Sequence, residues 1–261
     1  MRLRIDAELD YYFPEQADVL LALEVAQTPD QRLVEDRLTV DTATPLKPIA
    51  GHQAVGQRTW TAGEGRFVAR YHAVVDVQRA QADIAALAKV ALRDLPADAI
   101  DYLWPSRYCQ SEPLQIFAAD RFGALAAGGA QVAAAARWVR DNLDYVPGHS
   151  DATTTAHDTF HRKKGICRDF AHVLITMVRA FDIPARMVSA YAWQLDPPDF
   201  HAVVEVYLDG AWHLIDPTGL APVEGLARIG VGRDATDVSF MTIFDGVADM
   251  RRQRVTVERL D

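Results

Sequence analysis

Three residues along the chain have the side-chain types of a nucleophilic catalytic site: Cys167, His201 and Asp216. A cysteine becomes a strong nucleophile when a nearby imidazole takes the thiol proton, and a carboxylate can orient that imidazole. A site of this kind transfers acyl groups through a thioester. Whether the three side chains can meet depends on the secondary-structure elements that carry them.

The residues that follow Gly165 predict an amphipathic helix with Cys167 in its first turn. Apolar side chains recur at the spacing of one helix face: Phe170, Val173, Leu174, Met177, Val178 and Phe181. Gly165 permits a sharp entry, and Ile183-Pro184 ends the helix. A thiol at a helix amino terminus lies among unpaired amide donors, which favour the thiolate. A buried cysteine that packs as a small apolar residue is the alternative.

The hairpin after this helix predicts that His201 and Asp216 lie together. Asp209-Gly210 is a strong two-residue turn signal, and such a turn places Val203 opposite Asp216. Because side chains two apart share a strand face, His201 is a diagonal neighbour of Asp216, with Cβ atoms about 7 Å apart or less. The alternatives are a structural histidine on the strand and an aspartate that forms a turn before Pro217. The coincidence of three such positions favours the catalytic interpretation.

The segments that carry these residues resemble the transglutaminase-like superfamily: GICRDFAHV around Cys167, FHAVVEVYL around His201 and WHLIDPTG around Asp216. The order of the three residues and their intervals of 34 and 15 positions are similar to that family. The resemblance covers residues 113–245, and the strand-rich start of the chain together with Pro105-Ser106-Arg107-Tyr108 resembles the amino-terminal region of a bacterial subgroup. It implies a papain-like core. In that core Cys167 is the nucleophile, His201 the general base and acid, and Asp216 the orienting carboxylate, with no metal or organic cofactor.

The resemblance does not specify both donors of an oxyanion hole. The backbone N–H of Cys167 is one candidate, because the start of the helix supplies it. Tyr108 and Gln115 are further candidates. Arg168 and Asp169 follow the thiol but lie on a helix turn away from it, which predicts solvated or structural roles. His172 lies five residues after Cys167 and is rotated off its face, which predicts a structural role.

Turn signals and periodicity divide the chain into an amino-terminal β-domain at residues 1–78, a connector at 79–112 and a catalytic domain at 113–261. The first part includes a predicted hairpin at Ala62–Gly65. Helices are predicted at 80–92, 114–125 and 131–143, and strands after the central helix at 185–192, 201–208, 211–216, 240–244 and 252–259. The predicted fold class is α+β: a papain-like transglutaminase core of helices and antiparallel sheet, preceded by a small all-β domain.

A polar loop at residues 147–164 carries three histidines, His149, His157 and His161. Histidine clusters can bind metal ions, but these spacings match no zinc signature. No cysteine or carboxylate pair accompanies them. The loop therefore predicts no metal site.

Composition and charge narrow the classes of partner. With 261 residues, 49% of them hydrophobic and 24% charged, the chain has the composition of a globular protein that can bury a sizeable core. A formal net charge of −9 argues against a nucleic-acid or anionic-membrane partner. Charges interrupt the first residues where a secretory signal needs an unbroken apolar run, and two cysteines suggest no disulfide framework. We therefore expect a cytoplasmic protein without a membrane partner.

The predicted activity is cysteine-dependent acyl transfer on peptide or glutamine-type amides, with a peptide or protein as the substrate. Water as acceptor makes the protein a peptidase or amidase, and an amine as acceptor makes it a transamidase. Two alternatives stay open. One is an arylamine N-acetyltransferase-like enzyme, which shares the triad but uses acetyl-CoA; no dedicated CoA phosphate site is recognisable. The other is a non-catalytic protein-binding scaffold on the same fold. The sequence does not specify the physiological substrate, the acceptor or the oligomeric state.

Overall fold

The first part of the chain forms a long antiparallel sheet in the computed structural model, which describes residues 1–261. Its strands are β1 (Arg2–Leu21), β2 (Gln31–Val40), β3 (Lys47–Ala50) and β4 (Gln57–Val77). Buried and exposed side chains alternate over much of β1 and β4, and these two strands pair along most of their length. β2 and β3 pair with the other edge of β4. The β-region predicted at the start of the chain is therefore present.

The predicted hairpin at Ala62–Gly65 is wrong, because β4 runs through these residues without reversing. Between Phe13 and Ala17 β1 contains a bulge, and the facing residues of β4 are Gly65 and Gly63. The ring of Phe13 lies 2.7 Å from the position that a Cβ on Gly63 would occupy. The glycine therefore permits a close approach of the two strands at the bulge.

The second part of the chain contains the helices and a four-stranded antiparallel sheet. The helices are α1 (Ala97–Ile100), α2 (Glu112–Phe122), α3 (Gly129–Asn142), α4 (Ala156–Arg162), α5 (Cys167–Arg179) and α6 (Ala235–Val238). The strands are β5 (Asp144–Tyr145), β6 (Lys164–Gly165), β7 (Ala185–Ala192), β8 (Phe200–Leu208), β9 (Ala211–Ile215) and β10 (Leu226–Gly232). The sheet has the order β10-β7-β8-β9, and α5 packs on β7 and β8. This arrangement confirms the predicted α+β class.

The helix predicted at residues 80–92 is wrong, because this segment holds only two short 3-10 turns. Its backbone groups bind elsewhere in the fold. The N–H of Gly129 donates to the Leu87 carbonyl, and Ala88 forms a β-bridge with Gly128. A continuous helix would need those groups for its own hydrogen bonds. The next two predicted helices are present as α2 and α3.

Two strands from the last part of the chain complete the first sheet. β11 (Met241–Phe244) and β12 (Asp249–Arg259) pair with the edge of β1 that β4 leaves free, so that Leu3 lies opposite Arg259. From the sequence, both strands are predicted to belong to the catalytic domain at 113–261. Periodicity identifies a strand but not the distant strand with which it pairs. The boundaries at 78 and 113 remain a prediction.

The two sheets share buried residues. Tyr191, Ala227 and Ile229 of the second sheet pack among the apolar side chains of the first. The Tyr191 hydroxyl also donates a hydrogen bond to the Leu23 carbonyl at 2.8 Å. The first sheet therefore lies directly against β7 and β10. None of the helices combines the length and the apolar character needed to cross a lipid bilayer.

Candidate active site

Cys167 is the first residue of α5, as the helix pattern predicts. Ile166 precedes it in an extended conformation, and the Ile166 N–H donates to the Asp169 carboxylate at 2.8 Å. Asp169 is fully buried and also accepts a hydrogen bond from Ser150. A Cβ on Gly165 would lie 2.7 Å from the Asp169 Cβ, so glycine allows this close approach. Asp169 thus fixes the turn that presents the thiol, which agrees with its predicted structural role.

The hairpin after β8 has the predicted register. The residues of the Asp209-Gly210 turn have φ values of 49° and 77°, the left-handed region that a type I′ turn requires. Leu208 faces Ala211, and the pairing continues along both strands. Beyond the paired residues, Nε2 of His201 and Oδ2 of Asp216 are 3.0 Å apart. The predicted contact between these two side chains is therefore confirmed.

The loop after β9 fixes the Asp216 carboxylate. Its Oδ1 accepts hydrogen bonds from the Thr218 N–H at 2.9 Å and the Thr218 hydroxyl at 2.7 Å. Its Oδ2 accepts from the Ala221 N–H at 3.0 Å as well as contacting His201. Burial alone would raise the pKa of Asp216, but the hydrogen bond and charge of His201, with these donors, hold it below its ordinary value of 3.8. Asp216 is therefore a charged, immobile acceptor for the imidazole.

His201 lies between Asp216 and Cys167, and its side chain is 0% exposed. Its Nδ1 is buried and accepts or donates no hydrogen bond within the protein other than through the neighbouring Cys167 thiol. Burial alone would lower the pKa of His201, but hydrogen bonding to Asp216 and to Cys167 raises it to about 10. The imidazole is thus stabilised as a cation beside the Cys167 thiol.

Tyr145 also reaches the thiol, although the sequence gives no indication of it. The short parallel pair of β5 and β6 sets Tyr145 beside Gly165, two residues before Cys167. Burial and the neighbouring Cys167 raise the pKa of the Tyr145 hydroxyl. A two-residue strand has no periodicity, and its partner lies twenty positions away, so no local signal could identify this contact.

Comparisons with known proteins agree with this arrangement. The family model of the transglutaminase-like superfamily matches residues 118–217, which contain Cys167, His201 and Asp216. The crystal structure of a candidate cysteine protease from Cytophaga hutchinsonii is 33% identical and superposes with a TM-score of 0.95, covering 100% of this chain and 91% of that chain. This chain belongs to the transglutaminase-like superfamily.

A relative of this transglutaminase-like protein is an uncharacterized protein of Mycobacterium leprae, which is 38% identical over 41% of this chain. The match spans 42% of that relative, less than half of its length. The periplasmic domain of TgpA from Pseudomonas aeruginosa superposes with a TM-score of 0.44 at 16% identity, over 85% of this chain and 91% of that chain. The family model and the Cytophaga hutchinsonii structure confirm the family resemblance expected from the motifs. They also support a fold of the kind that carries cysteine-dependent catalysis.

The two side chains predicted as oxyanion donors of this transglutaminase-like site lie elsewhere. The Tyr108 hydroxyl donates to the Ala152 carbonyl at 2.7 Å, and its ring stacks on His172. Gln115 is exposed on α2. Neither side chain forms a hydrogen bond with Cys167.

The second cysteine differs from Cys167 in its surroundings. Cys109 is fully buried, and burial raises the pKa of its thiol to about 12. Its Sγ lies 3.7 Å from the His172 carbonyl oxygen. His172 is also fully buried, and burial lowers the pKa of its imidazole to about 3. Both residues are structural, whereas Cys167 is partly exposed.

The loop predicted at residues 147–164 contains α4, which a capping box at Thr155 begins. His157 and His161 lie one turn apart on this helix, with their Nε2 atoms 3.0 Å from each other. His149 lies outside it. No group of three or more His, Cys, Asp or Glu side chains in the chain is arranged to hold a metal ion.

Proposed function

We propose that this protein transfers the acyl group of a peptide or glutamine-type amide through a thioester on Cys167. The observation that carries the proposal is the position of His201, buried between the thiol at the start of α5 and a carboxylate 3.0 Å from its Nε2. The similarity to a candidate cysteine protease supports it. The presence of all three residues favours a catalyst over a binding scaffold on the same fold.

The reaction follows from this geometry. His201 holds the thiol proton, so that the thiolate of Cys167 attacks the carbonyl carbon of the amide. The imidazolium then protonates the leaving amine or ammonia as the thioester forms. In the second half, His201 removes a proton from water or from an amine, which attacks the thioester and restores the thiol. Asp216 stabilises the imidazolium in both halves and keeps its orientation.

The proposed oxyanion hole consists of the Cys167 N–H and the Tyr145 hydroxyl. Both groups lie beside the sulfur, so both are near the carbonyl oxygen of an attached acyl group. The raised pKa of Tyr145 keeps its hydroxyl protonated and able to donate. In the tetrahedral intermediate this oxygen becomes negatively charged, and the two donors then stabilise it more than they stabilise the substrate.

Tyr145→Phe is expected to lower kcat by about 10²- to 10³-fold with a smaller change in KM, because it removes one oxyanion donor and keeps the ring. Tyr108→Phe is the matched control, since it deletes a hydroxyl that binds the Ala152 carbonyl instead. Steady-state kinetics of the two variants measure the difference. Equal kcat values for Tyr145→Phe and the unmodified protein would remove Tyr145 from the reaction.

The activity itself is tested with glutamine-containing peptides, incubated with and without a primary amine and analysed by mass spectrometry. We expect an acyl-enzyme on Cys167 and either a hydrolysed product or an amine adduct, and the ratio of the two identifies the acceptor. An arylamine with acetyl-CoA is the comparison reaction for the acetyltransferase alternative. If the folded protein forms no acyl-enzyme and turns over none of these substrates, acyl transfer is excluded for them and the scaffold alternative gains support.

A further inference from the structure

An unpaired carboxylate lies close in the sequence to the histidine of the candidate active site. Asp199 is exposed and comes two residues before His201, so the two Cα atoms are at most about 7 Å apart. Its negative charge also contributes to the raised pKa of the Tyr145 hydroxyl. Nothing in the reaction proposed above uses this carboxylate.

The contacts of Asp199 fix its position without neutralising its charge. Its Oδ1 accepts hydrogen bonds from the Phe200 N–H at 2.7 Å and from the Gln253 side-chain amide. Gln253 belongs to β12, so a strand of the first sheet holds the carboxylate in place. Both donors are neutral, Oδ2 accepts no hydrogen bond, and no lysine or arginine forms an ion pair with Asp199.

The cation nearest in sequence to the thiol is already engaged on another contact. Arg168 follows Cys167, and its guanidinium binds the Asp169 carboxylate at 3.2 Å and the Asp151 carbonyl at 2.7 Å. It is therefore held by a buried carboxylate and a carbonyl, and it forms no ion pair with Asp199. The free oxygen of Asp199 is left to bind a positive group that a ligand brings to the site.

We infer that Asp199 selects substrates that carry a cationic group next to the reacting carbonyl. The inference rests on the proposed function and names its substrate class. The cation has two possible sources: a lysine or arginine beside the acyl donor, or the ammonium group of an amine that approaches the thioester. In either case the carboxylate attracts the charge at short range, and Gln253 keeps it oriented.

Charged thiol reagents test the field at Cys167 without requiring turnover. The thiolate attacks a methanethiosulfonate, a mixed disulfide forms, and methanesulfinate leaves. We expect the cationic 2-(trimethylammonium)ethyl methanethiosulfonate to modify Cys167 faster than the anionic 2-sulfonatoethyl methanethiosulfonate does. Asp199→Asn should lower the ratio of these two modification rates about threefold to tenfold. The matched control is Asp196→Asn, which changes an exposed residue of the same loop and should leave this ratio unchanged. An unchanged ratio in Asp199→Asn overturns the inference.

Peptide substrates then identify the source of the cation. Glutamine peptides flanked by lysine are compared with peptides flanked by glutamate, and a cationic amine acceptor is compared with neutral hydroxylamine. Asp199→Asn should lower kcat/KM selectively for the cationic member of one pair. If no pair changes while the enzyme remains active, substrate selection by Asp199 is refuted. If no peptide reacts with any variant, the proposed function fails, and the labelling ratio alone decides the role of Asp199.

Discussion

Cys167→Ser is expected to lower acyl transfer by about four orders of magnitude or more, because a hydroxyl is a much weaker nucleophile than a thiolate paired with an imidazolium. The serine keeps the size and the hydrogen-bonding capacity of the side chain, so the start of α5 should not change. Steady-state rates and mass spectrometry of the trapped acyl-enzyme measure the effect. The intact fold is checked by circular dichroism.

Cys109→Ser is the matched control for this experiment. The same atom is exchanged at a fully buried site that the proposed reaction does not use. It should leave the rate nearly unchanged and lower only the free energy of unfolding, since it buries a hydroxyl. Iodoacetamide at neutral pH should modify Cys167 and spare Cys109, whose pKa burial raises to about 12. A Cys167→Ser protein that retains full activity would place the nucleophile elsewhere.

Asp216→Asn is expected to lower kcat by about 10²- to 10⁴-fold. An asparagine removes the negative charge beside His201, and its amide can present a donor to Nε2, which disfavours both the working tautomer and the imidazolium. Asp209→Asn is a matched control on the same hairpin, because asparagine tolerates the left-handed conformation of this turn residue. It should keep both rate and stability. Unchanged turnover in a folded Asp216→Asn protein would contradict the assigned role.

The pH dependence of the same variant gives an independent measurement. The pKa of His201 is raised from 6.5 to about 10 in the folded protein, so its imidazolium stabilises the fold below pH 6.5 and this contribution is lost as pH rises through 10. Removing the Asp216 charge lowers that pKa. The reaction rate and the free energy of unfolding should therefore begin to fall at a lower alkaline pH in Asp216→Asn than in the unmodified protein.

Elements that depend on nearby residues could be predicted from the sequence. The helix at Cys167 follows from apolar spacing within one segment, and the His201–Asp216 contact follows from the two-residue turn at Asp209-Gly210. In both cases the information lies within about fifteen residues of the site, where periodicity and turn geometry act. The helix of the nucleophile and the His201–Asp216 contact therefore follow from the sequence.

Elements that depend on distant partners could not be predicted. In the sequence Gly63 indicates a turn, but in the structure it permits the ring of Phe13 to approach the backbone closely. The sequence does not predict β10, because LARIGVG, with two glycines, alternates too weakly to indicate a strand. Tyr145 is brought to the thiol by pairing with Gly165, and nothing around either residue indicates that pairing. Position in space, and not residue type, distinguishes Tyr145 from Tyr108.

The pairing of β12 with β1 has a consequence for the order in which the protein folds during synthesis. β1 can pair with β4 as soon as residue 77 has left the ribosome, but its other edge has no partner until residues 249–259 are made. Throughout the synthesis of the α5 segment and β8, that edge stays available to other nascent chains. Closing it joins residues from opposite ends of the sequence, a slow step with a large entropic cost. We therefore expect maturation of the site to finish only after residues 249–259 have left the ribosome, when Gln253 first reaches Asp199.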